Sequence, residues 1–328
     1  MALAREHILS VNTAEQFNSA ALEIFGYQYN DNTVYRQFSD YLGRNPGNVK
    51  TVGQIPFMPV EFFRNHRVIT GASEPQLVFE SSGTTGSFPS RHYVTDPGLY
   101  EASFTEAFRI FYGSPEDYVI LALLPSYTER EGSSLVYMAD RLIKMTGSEL
   151  SGFYREQPGS VLSAVEKARA AGRKVLLLGV SFALLDLAEN EAPDLSGTII
   201  METGGMKGRR KEITRGELHE VLCDRLHVPA IHSEYGMTEL LSQAYSFGDG
   251  VFRCPPWMSI LVRDPQDPLS IINEYDRSGG INIIDLANLN SCSFLATGDL
   301  GRLFTDGSFE ILGRFDASDI RGCNLMAE

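Results

Sequence analysis

The apolar positions of the first seventy residues recur with a helical period. Thr13 and Gln16 stand in capping-box relation ahead of Phe17, Ala20, Ala21, Ile24 and Phe25, which predicts a helix. A second helix is expected from near Asp31, carrying Val34, Phe38, Tyr41 and Leu42 and stopping at Gly43. Pro56 and Pro59 keep the segment 55–63 extended before any helix begins.

From about residue 76 the pattern changes. Short apolar runs at 76–80, 118–124, 174–178, 198–201 and 230–232 read as strands, and the stretches 97–112, 161–171, 181–188 and 211–226 read as helices. Strands separated by helices of this length predict parallel βαβ units. Beyond residue 250, the runs 257–262, 281–285, 301–304 and 309–312 alternate with turns such as Asp306-Gly307, the mark of a mostly antiparallel β subdomain. The expected division is a helical segment 1–75 packing on the core, an α/β body 76–250, a β subdomain 251–312 and a hinge with a short tail 313–328.

Composition narrows the function classes. Lys and Arg number 28 against 42 Asp and Glu, a net charge of −14, so no long basic face is available for nucleic acid. An anionic ligand must then be met by a few local cations and backbone amides. Cys223, Cys254, Cys292 and Cys323 form no CxxC pair and no zinc-like spacing with the histidines, as scattered thiols of a reducing compartment would. No signal-peptide core opens the sequence, and the most apolar stretch, 175–187, is too short to span a bilayer. A soluble, cytoplasmic chain with no membrane span is expected.

Four loops carry candidate chemistry. In Ser81-Ser82-Gly83-Thr84-Thr85-Gly86, small residues let backbone N–H groups converge on an anion while hydroxyls donate to phosphate oxygens. It lacks the Walker lysine, and its plain reading is a polar turn after a strand. Tyr235-Gly236-Met237-Thr238-Glu239 follows a predicted parallel strand, where open α/β sheets bind ligands. Thr238 could donate to phosphate and Glu239 could hold Mg²⁺; the plain reading is a helix start. Thr297-Gly298-Asp299 offers a carboxylate to ribose hydroxyls, and Gly313-Arg314-Phe315-Asp316 offers a guanidinium fork. Each of these is also an ordinary turn sequence.

Taken together and in this order, the four motifs resemble the adenylate-forming superfamily of acyl- and aryl-CoA synthetases, adenylation domains and firefly luciferase. The stretch Pro56-Phe57-Met58-Pro59-Val60-Glu61-Phe62-Phe63, the turn Gly204-Gly205-Met206-Lys207-Gly208-Arg209 and the terminal Arg321-Gly322-Cys323-Asn324-Leu325 are similar to the acyl-protein synthetase (LuxE-type) branch. The resemblance implies the α/β N-terminal domain of an adenylate-forming enzyme, with residues 76–250 binding nucleotide and acyl group. It implies an AMP-forming acid–thiol ligase that activates a carboxylic acid, of the fatty-acid class, with ATP and Mg²⁺. The acceptor would be Cys323 itself, CoA or an acyl-acceptor protein, with a reductase as a further partner.

Residue by residue, the resemblance places Ser81, Ser82, Gly83, Thr84, Thr85 and Gly86 at the phosphates and Tyr235 and Gly236 at the adenine. Thr238 and Glu239 fall at phosphate and metal, Asp299 at the ribose and Arg314 at the hinge. Gly204 and Gly205 allow close backbone approach. Relatives continue the phosphate loop with Pro-Lys; here the cation is expected from Arg91. Only residues 316–328 follow the hinge, where a longer domain with an adenylation lysine is implied. Lys207, within a cluster with Arg209, Arg210 and Lys211, is the candidate replacement, and the same cluster also reads as a solvated helix start. Phe104, Phe108, Tyr127 and Phe182 are candidates for an acyl pocket and equally for core.

Two other readings compete. Gly179-Val180-Ser181-Phe182-Ala183 loosely fits a nucleophile elbow, making Ser181 the candidate of a serine esterase with His219, His227 or His232. A chain that keeps its nucleotide loops without the lysine domain could instead be a non-catalytic ATP- or AMP-binding regulatory or scaffold subunit.

Overall fold

Helix α1 (Arg5–Leu9) precedes α2 (Ala14–Asp31), whose N-cap Thr13 accepts from the Gln16 N–H. The Gln16 side chain reaches back to the Asn12 N–H at 3.0 Å, one residue further than a capping box requires. Phe17, Ala20, Ala21, Ile24 and Phe25 are buried, as their spacing predicts. Asn32 then ends α2 and caps α3 (Thr33–Tyr41) by accepting from the Tyr35 N–H. The buried face of α3 is rotated from the expected one: Tyr35 and Ser39 point inward and Tyr41 is 91% exposed. Between the two prolines, β1 (Met58–Pro59) is extended and pairs in parallel with Leu295 and Ala296, before the single turn α4 (Phe62–Asn65). The computed structural model describes residues 5–81, 88–125, 132–155, 158–204 and 213–315.

Strands β2 (Leu77–Glu80) and β3 (Arg91–Val94) form an antiparallel pair by themselves. Helix α5 (Pro97–Tyr112) starts with Asp96 as N-cap and Pro97 at the first position, where a missing N–H costs nothing. Next come β4 (Tyr118–Leu123), α6 (Ser134–Met145), β5 (Gly152–Phe153), α7 (Val161–Ala170), β6 (Lys174–Val180), α8 (Ser181–Asn190) and β7 (Ile199–Thr203). Helix α9 (Arg215–Leu226) carries a complete capping box, Thr214 with Glu217, and leads to β8 (Ile231–Tyr235). These strands run parallel in the order β5-β4-β6-β7-β8, and β4 is buried on both faces, as an interior parallel strand must be.

The same sheet continues in antiparallel form through β9 (Ala244–Ser246), β10 (Val251–Arg253), β11 (Met258–Arg263), β12 (Ile271–Ile272), β13 (Ser278–Asp285), β14 (Phe294–Leu303) and β15 (Phe309–Arg314). Its order beyond β8 is β9-β10-β15-β14-β13-β11-β12. The loop leaving β8 thus lies where the sheet changes from parallel to antiparallel pairing. Apolar residues fill both faces: α7, α8 and α9 cover one side of the parallel strands, while α2 and α5 share the larger core on the other.

Candidate active site at the end of strand β8

Tyr235 is the last residue of β8, and its hydroxyl donates to Asp299 Oδ2 at 2.7 Å. Asp299 sits within β14, separated from β8 by three intervening strands, so the sheet must coil to bring them together. The interval is filled by Phe252 and Phe309, against which the Tyr235 ring packs edge-on at 5.8 and 5.6 Å. Register pairs Asp299 with Arg314, whose Nε lies 3.3 Å from the other carboxylate oxygen while its side chain remains largely exposed. Burial, reinforced by the Asp299 charge, holds the Tyr235 phenol well above its ordinary range, so it stays a neutral donor. The Thr297-Gly298-Asp299 sequence, expected as a turn, lies inside a ten-residue strand. Thr297 is tolerated there because its hydroxyl donates to the Ile281 carbonyl.

The Gly236–Glu239 turn follows directly. His92, on β3, lies 2.9 Å from the Thr238 carbonyl through Nδ1 and 2.9 Å from Ser291 Oγ through Nε2. A carbonyl can only accept, so Nδ1 carries the proton and Nε2 accepts from Ser291. Burial lowers His92 to about 4, which keeps the ring neutral. Asn288 Nδ2 donates to the Glu239 carbonyl at 2.7 Å. Asp285 accepts from the Leu241 and Ser242 N–H groups and the Ser242 hydroxyl, pinning the chain just past Glu239. The Glu239 carboxyl is buried, and burial raises it against the opposing hydrogen bond from Ser90.

The 285–293 segment is itself held from the N-terminal helices. Gln28 Nε2 donates to the Asn288 and Leu289 carbonyls and to Ser293 Oγ, and Gln28 Oε1 accepts from the Ser293 N–H. Asn32 Nδ2 donates to the Ser291 carbonyl. His92, Asp285 and Asn288 were not among the sequence candidates. Their signal was faint: polar residues at 285, 288, 290, 291 and 293 inside an apolar stretch.

Where β2 leads toward β3, the Ser81 N–H donates to the Ser90 carbonyl and Ser81 Oγ accepts from the Ser90 N–H. Arg91 faces Glu80 across β2 and β3 and is ion-paired to it at 2.9 Å. Gly204 follows β7 with φ +34°. Ser82, Gly83, Thr84, Thr85, Gly86, Tyr127, Gly205, Lys207, Arg209, Arg210, Lys211 and Cys323 lie outside the described residues. Among the described thiols, burial pushes Cys254 far up and Cys292 to about 12, as inert core cysteines require.

Ser181 is buried at the start of α8, and its hydroxyl donates to Glu202 Oε2 at 3.3 Å. Glu202 also faces Arg215 Nε at 3.3 Å and His219 Nε2 at 3.7 Å. Burial pushes this carboxyl up, but His219 and Arg215 outweigh it and leave it below the usual range. The carboxylate stands between hydroxyl and imidazole, whereas an esterase needs the imidazole against the hydroxyl. Phe104 and Phe108 are fully buried in the core, and Phe182 is half-buried at the rim of both clusters. A carboxyl that the sequence reading passed over, Glu234, is buried one residue before Tyr235.

No protein-family model matches the chain, and no curated protein matches it. Similar solved structures do exist. ATP-bound MatB from Rhodopseudomonas palustris is 18% identical with a TM-score of 0.54, the match covering 72% of this chain and 47% of MatB. The amide bond synthetase McbA from Marinactinospora thermotolerans is 20% identical with a TM-score of 0.51, covering 72% and 48%. A luciferase-like enzyme from the nonluminescent Zophobas morio mealworm is 17% identical with a TM-score of 0.50, covering 76% and 59%. The chain spans about half the length of the first of these. At such identities the likeness shows the fold: a mixed α/β body of the kind that forms the N-terminal domain of adenylate-forming enzymes. No helix among the described residues is long and apolar enough to cross a membrane.

Proposed function

We propose that the chain activates a carboxylic acid with ATP as an acyl-adenylate and passes the acyl group to a thiol. The observation that carries this reading is the meeting of three distant motifs at the end of β8. Tyr235 and Arg314 converge on Asp299, and the Thr238–Glu239 turn is tied by His92 to the strand that leaves the Ser81–Gly86 loop. A fold similar to that of ATP-bound MatB supports it.

In this reading Asp299, fixed by Tyr235, accepts the ribose hydroxyls, and Arg314 offers its exposed fork beside them. Tyr235 and Gly236 border the adenine, and Gly204 and Gly205 allow close backbone approach. The hydroxyls of the 81–86 loop and of Thr238 donate to the phosphates. Glu239 is the carboxylate for Mg²⁺. Its site fits a cation that takes one or two carboxylates plus substrate phosphates: Glu239 is a single buried carboxyl whose charge a divalent ion would offset. Among the described residues no group of three or more His, Cys, Asp or Glu side chains is arranged for a metal. Bound Mg²⁺ would neutralise phosphate charge. The substrate carboxylate oxygen attacks the α-phosphorus, the bond to the bridging oxygen breaks, and pyrophosphate leaves. A thiolate then displaces AMP from the acyl carbon. Lys207 would supply the cation at the α-phosphate, and Cys323, CoA or a partner protein the thiol.

The test is pyrophosphate release with ATP and Mg²⁺ across short, aromatic, amine-bearing and long-chain acids, with intact-mass detection of the protein. Release that is lost in Asp299→Ala, with a mass increase lost in Cys323→Ser, is the expected outcome. ATP binding without release for any acid would overturn catalysis in favour of a nucleotide-binding subunit.

A further inference from the structure

One face of the sheet carries a polar row where the surrounding core is apolar. Thr203 on β7, Glu234 on β8 and Tyr245 on β9 are register partners, so their side chains leave the same face. Thr203 Oγ1 donates to Glu234 Oε2 at 2.6 Å. The other carboxyl oxygen lies against Gly236: a Cβ there would collide with it, and the same point is 3.4 Å from Gln243 Cγ. Glu234 is 8% exposed, Gln243 4% and Tyr245 1%. Among the described residues, Gln243 Oε1 and the Tyr245 hydroxyl are buried with no hydrogen-bond partner. Among the described residues the charge acting on Glu234 comes from Glu202, another carboxylate, and no cation offsets it.

Among the described residues, acceptor lone pairs in this row are thus left over. Glu234 Oε1, Gln243 Oε1 and the Tyr245 oxygen all have lone pairs to offer, and buried polar atoms of this kind are normally satisfied. An ammonium group is the complement: three N–H donors, no acceptor, and a charge opposite to the carboxylate. The row also lies at the right place. Thr203 immediately precedes Gly204, and Glu234 is two residues before Gly236, so the cluster adjoins the turns that border the nucleotide in the reading above. We infer that this row receives the ammonium group of the acid being activated, so that the substrate is an amine-bearing carboxylic acid rather than an alkyl fatty acid. The inference rests on the adenylating function proposed above. It also gives Gly236 a reason beyond turn geometry, since any side chain there would displace the Glu234 oxygen.

Burial raises the Glu234 carboxyl to about 7. An arriving ammonium favours the ionised form, so binding at pH 7 expels about half a proton. An alkyl chain would expel none and would leave the acceptors unpaired.

Calorimetric titration of the whole chain with matched acids tests this directly: 6-aminohexanoate against hexanoate, and phenylalanine against 3-phenylpropanoate. The amine-bearing member of at least one pair is expected to bind about tenfold tighter or more, with a heat that varies with the ionisation enthalpy of the buffer. Glu234→Gln should abolish both the preference and the proton release. Tyr245→Phe removes only an unpartnered hydroxyl; it should keep the urea midpoint and still weaken the amine-bearing acid several-fold. Equal or tighter binding of the unsubstituted acids overturns the inference, as does a preference unchanged in Glu234→Gln or no binding by any amine-bearing acid. Pyrophosphate release without amine preference would sink this inference alone. Amine-selective binding without release would sink the adenylating function and leave the ammonium site standing.

Discussion

His92 makes the sharpest test of how the site is held, because its two ring nitrogens do different work. Asn places an amide nitrogen near the position of Nδ1, whereas Gln places one near Nε2. His92→Asn should therefore keep the bond to the Thr238 carbonyl, and His92→Gln should lose it. Leaving a buried carbonyl unpaired costs about 1–3 kcal/mol, whereas the Ser291 hydroxyl freed in the Asn variant still has the Asn288 carbonyl at 3.5 Å, so the Gln variant should be the less stable of the two, by up to that amount. Both lose the edge-on contact with Phe63 at 5.4 Å, so that loss cancels in the comparison.

The pH dependence supplies a second, independent reading. His92 falls from 6.5 in the unfolded chain to about 4 in the folded one. The unfolded chain then binds the extra proton, so this stability is fully present above pH 6.5 and is lost as pH falls toward 4. The fall is worth at most about 3.4 kcal/mol, of which roughly 2.5 kcal/mol is lost by pH 4.5. Asn does not titrate. Urea unfolding of wild type and His92→Asn at pH 7.5 and 4.5 should therefore show the gap between them narrowing by roughly 2.5 kcal/mol at the lower pH. A gap that does not change with pH, or equal stability of the Asn and Gln variants, would refute the neutral, Nδ1-protonated clamp.

Two further outcomes probe the sheet and the site. A Cβ at Gly301 would collide with the Glu310 carbonyl on the paired strand at an irregularity of the β14–β15 ladder, so Gly301→Ala should lower stability by about 3 kcal/mol or more. Gly216, in the first turn of α9 with open space around it, is the control: Gly216→Ala should match or exceed wild type by up to about 1 kcal/mol in thermal unfolding. Tyr235→Phe removes the donor to Asp299 and should cost about 1.5–3 kcal/mol in urea unfolding. It should also weaken ATP binding several-fold if Asp299 holds the ribose; unchanged nucleotide affinity would detach Asp299 from that role.

Much of the parallel half was legible because its period is local. Helix α5 forms over the range its apolar spacing predicts, and the Tyr235–Glu239 loop falls at the end of a parallel strand as expected. Where the reading failed, tertiary context had overridden local chemistry. Thr297, Gly298 and Asp299 look like turn residues, yet β14 runs through them because Arg263 and Thr297 satisfy the Thr297 and Ile281 carbonyls and the glycines at 298 and 301 permit close strand approach. Helix α6 escaped notice although Val136, Tyr137, Met138, Ala139 and Leu142 are buried, since adjacent buried positions blur the helical period. Arg91, expected as a phosphate cation, was read without its cross-strand neighbour Glu80, which only the hairpin register brings opposite.

The residues that hold the site were the least legible, and for one reason. His92 meets Thr238 at a separation of 146 positions, and Gln28 meets Ser293 at 265. Neither pairing leaves a periodic trace. The connection runs from Gln28 and Asn32 in the N-terminal helices to the 285–293 segment, and from there through Asn288 and Ser291 to the Glu239 and Thr238 turn. The side chains of Gln28, Asn32, His92, Asn288, Ser291 and Ser293 are all buried, so removing one leaves its partners unsatisfied where little water reaches. Such a network is cooperative: it is either complete or costly. The N-terminal helices are thus part of what fixes the turn beside the proposed nucleotide site, because the Glu239 carbonyl and the Ser291 hydroxyl that seats His92 are positioned from α2 and Asn32. A loop of Gly, Thr and Glu has no preference of its own for one geometry; here that geometry is set by residues more than two hundred positions away in the chain.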